Sequence, residues 1–225
     1  MGLLFRIPVT PVGPTTYLND TFTDTNGTLL HAHTADVGGI WISPDPGGAD
    51  YQIISGAAVT VDGWSYDETY PGYYNNATMP AADYEIGVGF TVVDGPAYAM
   101  ELYARHDGTN KIRASVIRQA GGTFDVQLSI APLIGFTQIT DGWIAESNGN
   151  VDPAAAIGTH TMKLKVQGDI CTVYFNNVLV LTGNQNDAIT PITLTAAGKV
   201  GFGIGGHLGL TNNPVSVNEF TVTSI

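Results

Sequence analysis

The chain has 225 residues, of which 28 are glycine and only 12% are charged, with 8 Lys+Arg against 20 Asp+Glu and a formal net charge of -12. That length suffices for one β-sandwich with a sizeable core, while abundant glycine and sparse charge exclude long surface helices and favour short strands joined by tight turns. The acidic balance makes nucleic acid and anionic lipid poor partners, and no apolar run approaches the ~18 residues of a membrane-spanning helix.

Residues 1–16 carry Leu3, Leu4, Phe5, Ile7 and Val9 between Pro8, Pro11 and Pro14. There is no basic leader region and the apolar run is too short for a signal peptide, so the ordinary secretion route is not expected. Each proline removes a backbone donor and favours extended chain. The segment therefore reads as a short extended arm, lying on its own domain or anchoring to a neighbouring chain. Residues 17–225 are expected to form the domain. Its first strand is predicted at residues 17–23, followed by a turn at residues 24–28. In residues 30–41 (LHAHTADVGGIW), His31 and His33 share a face if extended, but a zinc site needs a third and usually a fourth ligand. They read as structural histidines, and Trp41 reads as core. In the loop at residues 43–50, Asp45 and Asp50 are the candidate Ca²⁺ ligands, without an EF-hand pattern.

Residues 62–80 hold Trp64, Tyr66, Tyr70, Tyr73 and Tyr74 among Asp67, Glu68, Asn75 and Asn76. Aromatic faces beside carboxylates and amides suit a sugar ring, whose C–H face stacks while its hydroxyls take the polar groups. The same aromatics also suit a cover over the open end of the sandwich or a subunit contact. Residues 84–92 alternate apolar and polar at period 2, as a half-buried strand does. Residues 97–105 and 111–118 are predicted to form a hairpin about residues 107–110. Its outward Glu101, Tyr103, Arg105, Arg113 and Arg118 read as ion pairs on a wet face, or as ligand contacts if they line a concave sheet.

Another strand is predicted at residues 123–130 and a long connection at residues 131–157. Residues 158–183 then read as a meander of three strands. Its turns fall at Gly168–Asp169 and Asn176–Asn177, and residues 170–175 are expected to be buried on both faces. The single Cys171 lies in that middle strand and reads as core. The glycines from Gly201 to Gly209 lack the lysine and strand–helix context of a phosphate loop and read as a close-packed β-edge.

Residues 158–168 (G-x-H-x-x-K-x-x-V-x-G) and residues 173–180 (VYFNNVLV) resemble the signature hairpins of the concanavalin A-like lectin/glucanase superfamily, including its laminin-G-like branch. Residues 198–204 (GKVGFGI) resemble the strand that follows, and residues 218–222 (NEFTV) the last strand, which usually pairs beside the first. Residues 30–41 resemble a stretch found near the start of such domains in bacterial and phage proteins. The resemblance implies an all-β, two-sheet antiparallel jelly-roll sandwich. It implies no single activity, because the fold hosts lectins, hydrolases, lyases and virion proteins.

Glu68, Glu85, Glu101, Glu146 and Glu219 do not form the Glu-x-Asp-x-x-Glu strand of laminarinase-like members, and neither a Gln-x-His lyase strand nor a Gly-x-Ser-x-Gly elbow is present. The expectation is a non-enzymatic virion structural protein. It would be a bacteriophage capsid-decoration, tail or fibre component, made in the host cytoplasm, displaying a lectin-like sandwich for surface or glycan adhesion. Its partners would be other virion proteins through the arm, cell-surface glycans and further copies of itself, with no cofactor beyond a structural Ca²⁺. The alternatives are a stand-alone bacterial carbohydrate-binding module and, behind it, a glycoside hydrolase or polysaccharide lyase.

Overall fold

The computed structural model describes residues 13–43, 51–60, 72–93, 98–118, 124–132, 143–148, 157–188, 193–205 and 215–225. Among them every strand pair is antiparallel and no residue is in an α-helix. Two sheets pack face to face as a jelly-roll sandwich. The eight-stranded sheet runs β13 (Val178–Asn184), β12 (Ile170–Phe175), β11 (Gly158–Gln167), β6 (Tyr84–Val92), β15 (Val215–Ser224), β4 (Ala58–Thr60) and β3 (Tyr51–Ile53), with β1 (Thr16–Asp20) also joined to β15. The seven-stranded sheet runs β10 (Trp143–Asn148), β9 (Phe124–Pro132), β8 (Asn110–Arg118), β7 (Tyr98–His106), β14 (Lys199–Gly205), β5 (Tyr73–Asn75) and β2 (Trp41–Ile42).

Period-2 alternation builds the core. In β6 the residues Tyr84, Ile86, Val88, Phe90 and Val92 are buried and the intervening ones are not, and β11 repeats the pattern with His160, Met162, Leu164 and Val166. The turn between β12 and β13 uses Asn176 and Asn177 at φ 48° and 62°, the left-handed pair that matches the twist of a tight hairpin. The first and last strands pair from Thr16↔Thr223 to Asp20↔Phe220. Trp41 is fully buried, with Phe202 and Phe220 edge-on at 5.1 and 5.2 Å. Cys171 is core, and burial pushes its thiol up to about 12.

Four expectations need correction. Residues 143–148, placed in the long connection, form β10 against β9. The stretch from Gly201, read as a β-edge, is an interior strand, β14 lying between β7 and β5. The first strand stops at Asp20, not residue 23, because Phe22 takes φ 52° while its N–H donates to the Asp20 carboxylate at 2.7 Å, a local turn that ends the ladder. And β12 is buried on one face only: Cys171, Val173 and Phe175 face the core, while Thr172 and Tyr174 stay half-buried and Ile170 exposed. Its β-branched run was compatible with either arrangement, and the sandwich has two layers, so the outer face of this sheet meets solvent.

Candidate ligand-binding face

Alternation along β7, β8 and β9 turns Met100, Leu102, Ala104, Ile112, Ala114, Val116, Val126, Leu128 and Ile130 into the core. Their neighbours point to the other side of the seven-stranded sheet. The register then lays out two polar rows there. Gly203, Glu101, Ser115 and Gln127 stand side by side across β14, β7, β8 and β9, and Gly201, Tyr103, Arg113 and Ser129 form the next row.

The rows are tied together through Glu101. Its Oε2 accepts from the Tyr103 hydroxyl at 2.6 Å, and its Oε1 accepts from Ser115 Oγ at 3.2 Å and from Arg113 Nη1 at 3.4 Å. Arg113 Nε donates to Ser129 Oγ at 3.2 Å. The two glycines are required by geometry. A Cβ on Gly203 would collide with the Tyr103 hydroxyl, and one on Gly201 with the Tyr73 carbonyl oxygen. Tyr103 therefore lies across the strip cleared by β14, and the Lys111 ammonium sits over its ring, 3.5 Å from the centroid.

This arrangement corrects the wet ion-pair face expected from the sequence. Glu101, Tyr103, Lys111, Arg113, Ser115, Gln127 and Ser129 are all buried, at no more than 7% exposure. Burial and the Glu101 charge raise the Tyr103 pKa well above that of an ordinary phenol. Burial pushes the Lys111 amine down to about 7, against the pull of Glu101. Arg105 does not join this face. At φ 49° it sits where the β7–β14 register slips, and its guanidinium donates to the carbonyls of Ala82, Gly168 and Leu194 and to Asp83, bolting the end of the sandwich. Arg118 is half-buried at the far end of β8.

Of the predicted aromatic platform, β5 splits the described part in two. Tyr73 is core, with its ring 4.9 Å from that of Tyr51, and Asn75 is buried, bonded to the backbone of Gly39 and Ala77. Neither can meet a ligand, because a strand sends alternate side chains to opposite faces and these two face inward. Tyr74 faces outward beside Gly201 and is half-buried. The His106 ring stands edge-on to it at 4.9 Å, and Lys199 Nζ lies 5.0 Å from its centroid. Asn76 is exposed and accepts a hydrogen bond from the Ile40 N–H at 3.0 Å. Trp64, Tyr66, Asp67, Glu68 and Tyr70 lie outside the described residues, as do Leu3, Leu4, Phe5, Ile7 and Val9 of the arm and the Ca²⁺ candidates Asp45 and Asp50. Among the described residues no group of three or more His, Cys, Asp or Glu could hold a metal ion.

Lys111, Lys199 and His106 were missed in the sequence. The signal was parity: Lys111 shares its strand face with Arg113, and Lys199 with Gly201 and Gly203. A second buried polar cluster lies near the start of the domain. His33 Nε2 is 2.9 Å from Asp20 and its Nδ1 3.2 Å from Asp24, while Trp41 Nε1 donates to Asp20 at 2.5 Å. Burial opposes the imidazolium, but the two carboxylates outweigh it and raise the His33 pKa. This is the structural histidine expected there.

No family model matches the chain, and no curated protein matches it in sequence. Solved structures do match in fold. The CBM2 module of the Lactobacillus casei BL23 phage J-1 evolved Dit aligns with a TM-score of 0.53 at 11% identity, over 93% of this chain and 95% of the module. A Bacillus subtilis protein of unknown function with a galectin-like fold gives 0.58 at 15%, over 81% and 88%. A prokaryotic β-1,3-1,4-glucanase (lichenase) from a mouse hindgut metagenome gives 0.55 at 13%, over 94% and 100%. At such identities the likeness is one of fold, and the fold is common to a carbohydrate-binding module and a glucanase.

Proposed function

We propose that this chain is a non-enzymatic, lectin-like carbohydrate-binding sandwich, with its glycan site on the outward face of the seven-stranded sheet. The observation that supports this most directly is Tyr74, a half-buried ring at the border of a pre-organised row of hydrogen-bonding side chains. A sugar needs an apolar ring face to stack on, and Tyr74 offers one whose surroundings the buried row beneath holds fixed. The non-enzymatic part rests on Glu101. Three donors converge on its carboxylate, which suits positioning rather than the free acid/base pair that glycoside hydrolysis uses.

Glycan-array binding, repeated with Tyr74→Ala, tests the site. Loss of binding with unchanged melting supports it, and undiminished binding places the site elsewhere. Release of reducing ends from a bound polysaccharide would overturn the non-enzymatic assignment.

The proposal extends to a place on a bacteriophage particle, with the segment ahead of the Thr15–Ser224 contact as the anchor. Its support is the proline-punctuated apolar composition of that segment, together with a fold that a phage module also uses. An extended apolar segment gains burial from a neighbour's surface without a core of its own. Deleting residues 1–12 should leave a folded sandwich that no longer joins its assembly. Unchanged assembly after deletion favours the second reading, a stand-alone bacterial module with the same binding face.

A further inference from the structure

The cations of this acidic chain are unevenly placed. Arg105, Arg113 and Lys163 each meet a carboxylate, Asp83, Glu101 and Glu85 respectively. Lys111 and Lys199 do not. Among the described residues neither ammonium has an ion-pair or hydrogen-bond partner, and each lies over a tyrosine ring of the same sheet face, Tyr103 and Tyr74. Lys111 is only 5% exposed, so its charged end has given up most of its water without gaining a counter-ion.

His106 lies between them. Its ring touches Tyr74, and both ammonium groups act on it, adding to the burial that lowers its pKa. His106 Nδ1 lies 3.1 Å from the Gly108 N–H and 3.4 Å from the Asn110 carbonyl oxygen. The acids nearby are already engaged. Glu101 holds Tyr103, Ser115 and Arg113, and Asp107 accepts from the N–H groups of Thr109 and Asn110 at 2.7 Å each.

We infer that Lys111, Lys199 and His106 form an oxyanion subsite that selects an acidic glycan, one bearing carboxylate or phosphate groups, over a neutral one. The inference rests on the glycan-binding reading above and deepens it. In a protein of net charge -12, the general field repels anions, so an acidic ligand needs a local patch of opposite sign. Two lysines and an imidazole around a tyrosine floor supply it. Charge-assisted hydrogen bonds to an oxyanion would replace the water that burial has removed from Lys111. The half-buried Tyr74 ring remains for the sugar itself.

The test is calorimetric titration of the full chain with oligogalacturonate and with glycerol-phosphate teichoic acid, beside neutral galactan and glucan oligosaccharides of equal length. The acidic ligands should bind about tenfold or more tightly than the neutral ones, and the advantage should shrink as salt rises. Preference for the uronate or for the phosphate polymer supports the inference and names the source of the oxyanion.

Lys199→Gln, at a half-buried position, and Lys111→Met, checked for folding by circular dichroism, should each weaken acidic binding more than neutral binding and so remove most of that advantage. Equal affinity for neutral and acidic sugars, an advantage that survives Lys199→Gln, or inorganic phosphate binding as tightly as the polymers would each overturn the inference while leaving the glycan reading intact. Binding to neither class of sugar would remove the glycan reading, and this one with it.

Discussion

Gly203 and Tyr103 occupy the same space by turns: the volume that a Cβ on Gly203 would fill is taken by the Tyr103 hydroxyl, which donates to Glu101 at 2.6 Å. The glycine on β14 is thus a condition for the hydrogen-bond network on β7 and β8. Gly203→Ala should displace a buried tyrosine, break its bond to Glu101 and cost ~1–3 kcal/mol by overpacking. Urea denaturation would measure the loss. A midpoint unchanged from wild type would show that Tyr103 moves aside freely.

Adjacent tyrosines on β5 should respond oppositely to truncation. Tyr73→Ala empties a core position and should cost ~3–5 kcal/mol of stability, since its ring is 1% exposed. Tyr74→Ala should change stability far less, yet abolish or weaken glycan binding. Thermal melting beside a binding assay separates the two, and equal destabilisation by both would refute the assignment of faces.

His33 should make the N-terminal part of the sandwich sensitive to alkali. Its folded pKa is raised by Asp20 and Asp24, so the folded state holds the proton more tightly than the unfolded chain. The stabilisation is complete below the ordinary histidine value of 6.5. It is lost as pH rises from there through the folded pKa. Melting temperature should fall over that window in the wild type, and His33→Gln should flatten the dependence. An identical pH slope in the variant would assign the effect to other groups.

Lys111 should act in the reverse sense. Its amine titrates at about 7 when folded and at 10.5 ordinarily, so between those values the unfolded chain binds more protons. Stability therefore rises with pH across that window and levels off above it. Lys111→Met should raise stability most at pH 6 and hardly at all at pH 10.5. A stability gain independent of pH would mean that the amine is not desolvated.

Much of the eight-stranded sheet was legible because its outer face is wet. In β6 and β11 the apolar residues, with His160 in step with them, face the core and the intervening ones face away, so period 2 alone assigns the faces. Asn176–Asn177 was equally legible as a turn, through its tolerance of positive φ. The seven-stranded sheet was harder for a definite reason. All nine residues of β7 are buried, so polarity no longer reports exposure there. Parity still placed Glu101, Tyr103 and Arg113 together, but it could not foresee that Gly203 lets the Tyr103 hydroxyl lie against β14. Nor could it follow Arg105, because one left-handed residue shifts the alternation. In β5 the run Tyr73, Tyr74, Asn75 and Asn76 pairs like with like, so either register gives one tyrosine and one asparagine to each face. Only the pairing with β14 decides which.

The pairing of β1 with β15 also fixes how the domain would carry a mechanical load. Thr15 N–H donates to Ser224 Oγ at 2.8 Å and Ser224 N–H to the Thr15 carbonyl at 2.9 Å, so both ends of the sandwich leave from one corner. A pull between residues 15 and 224 would bear on one rung at a time and peel β1 from β15 at low force, as a zip opens. A pull between residue 15 and a ligand held on the seven-stranded sheet would instead pass through the packed layers and load many rungs together. Tethered by one end, the sandwich would be a stiff link between its support and whatever it grips. Tethered by both, it would be a weak one.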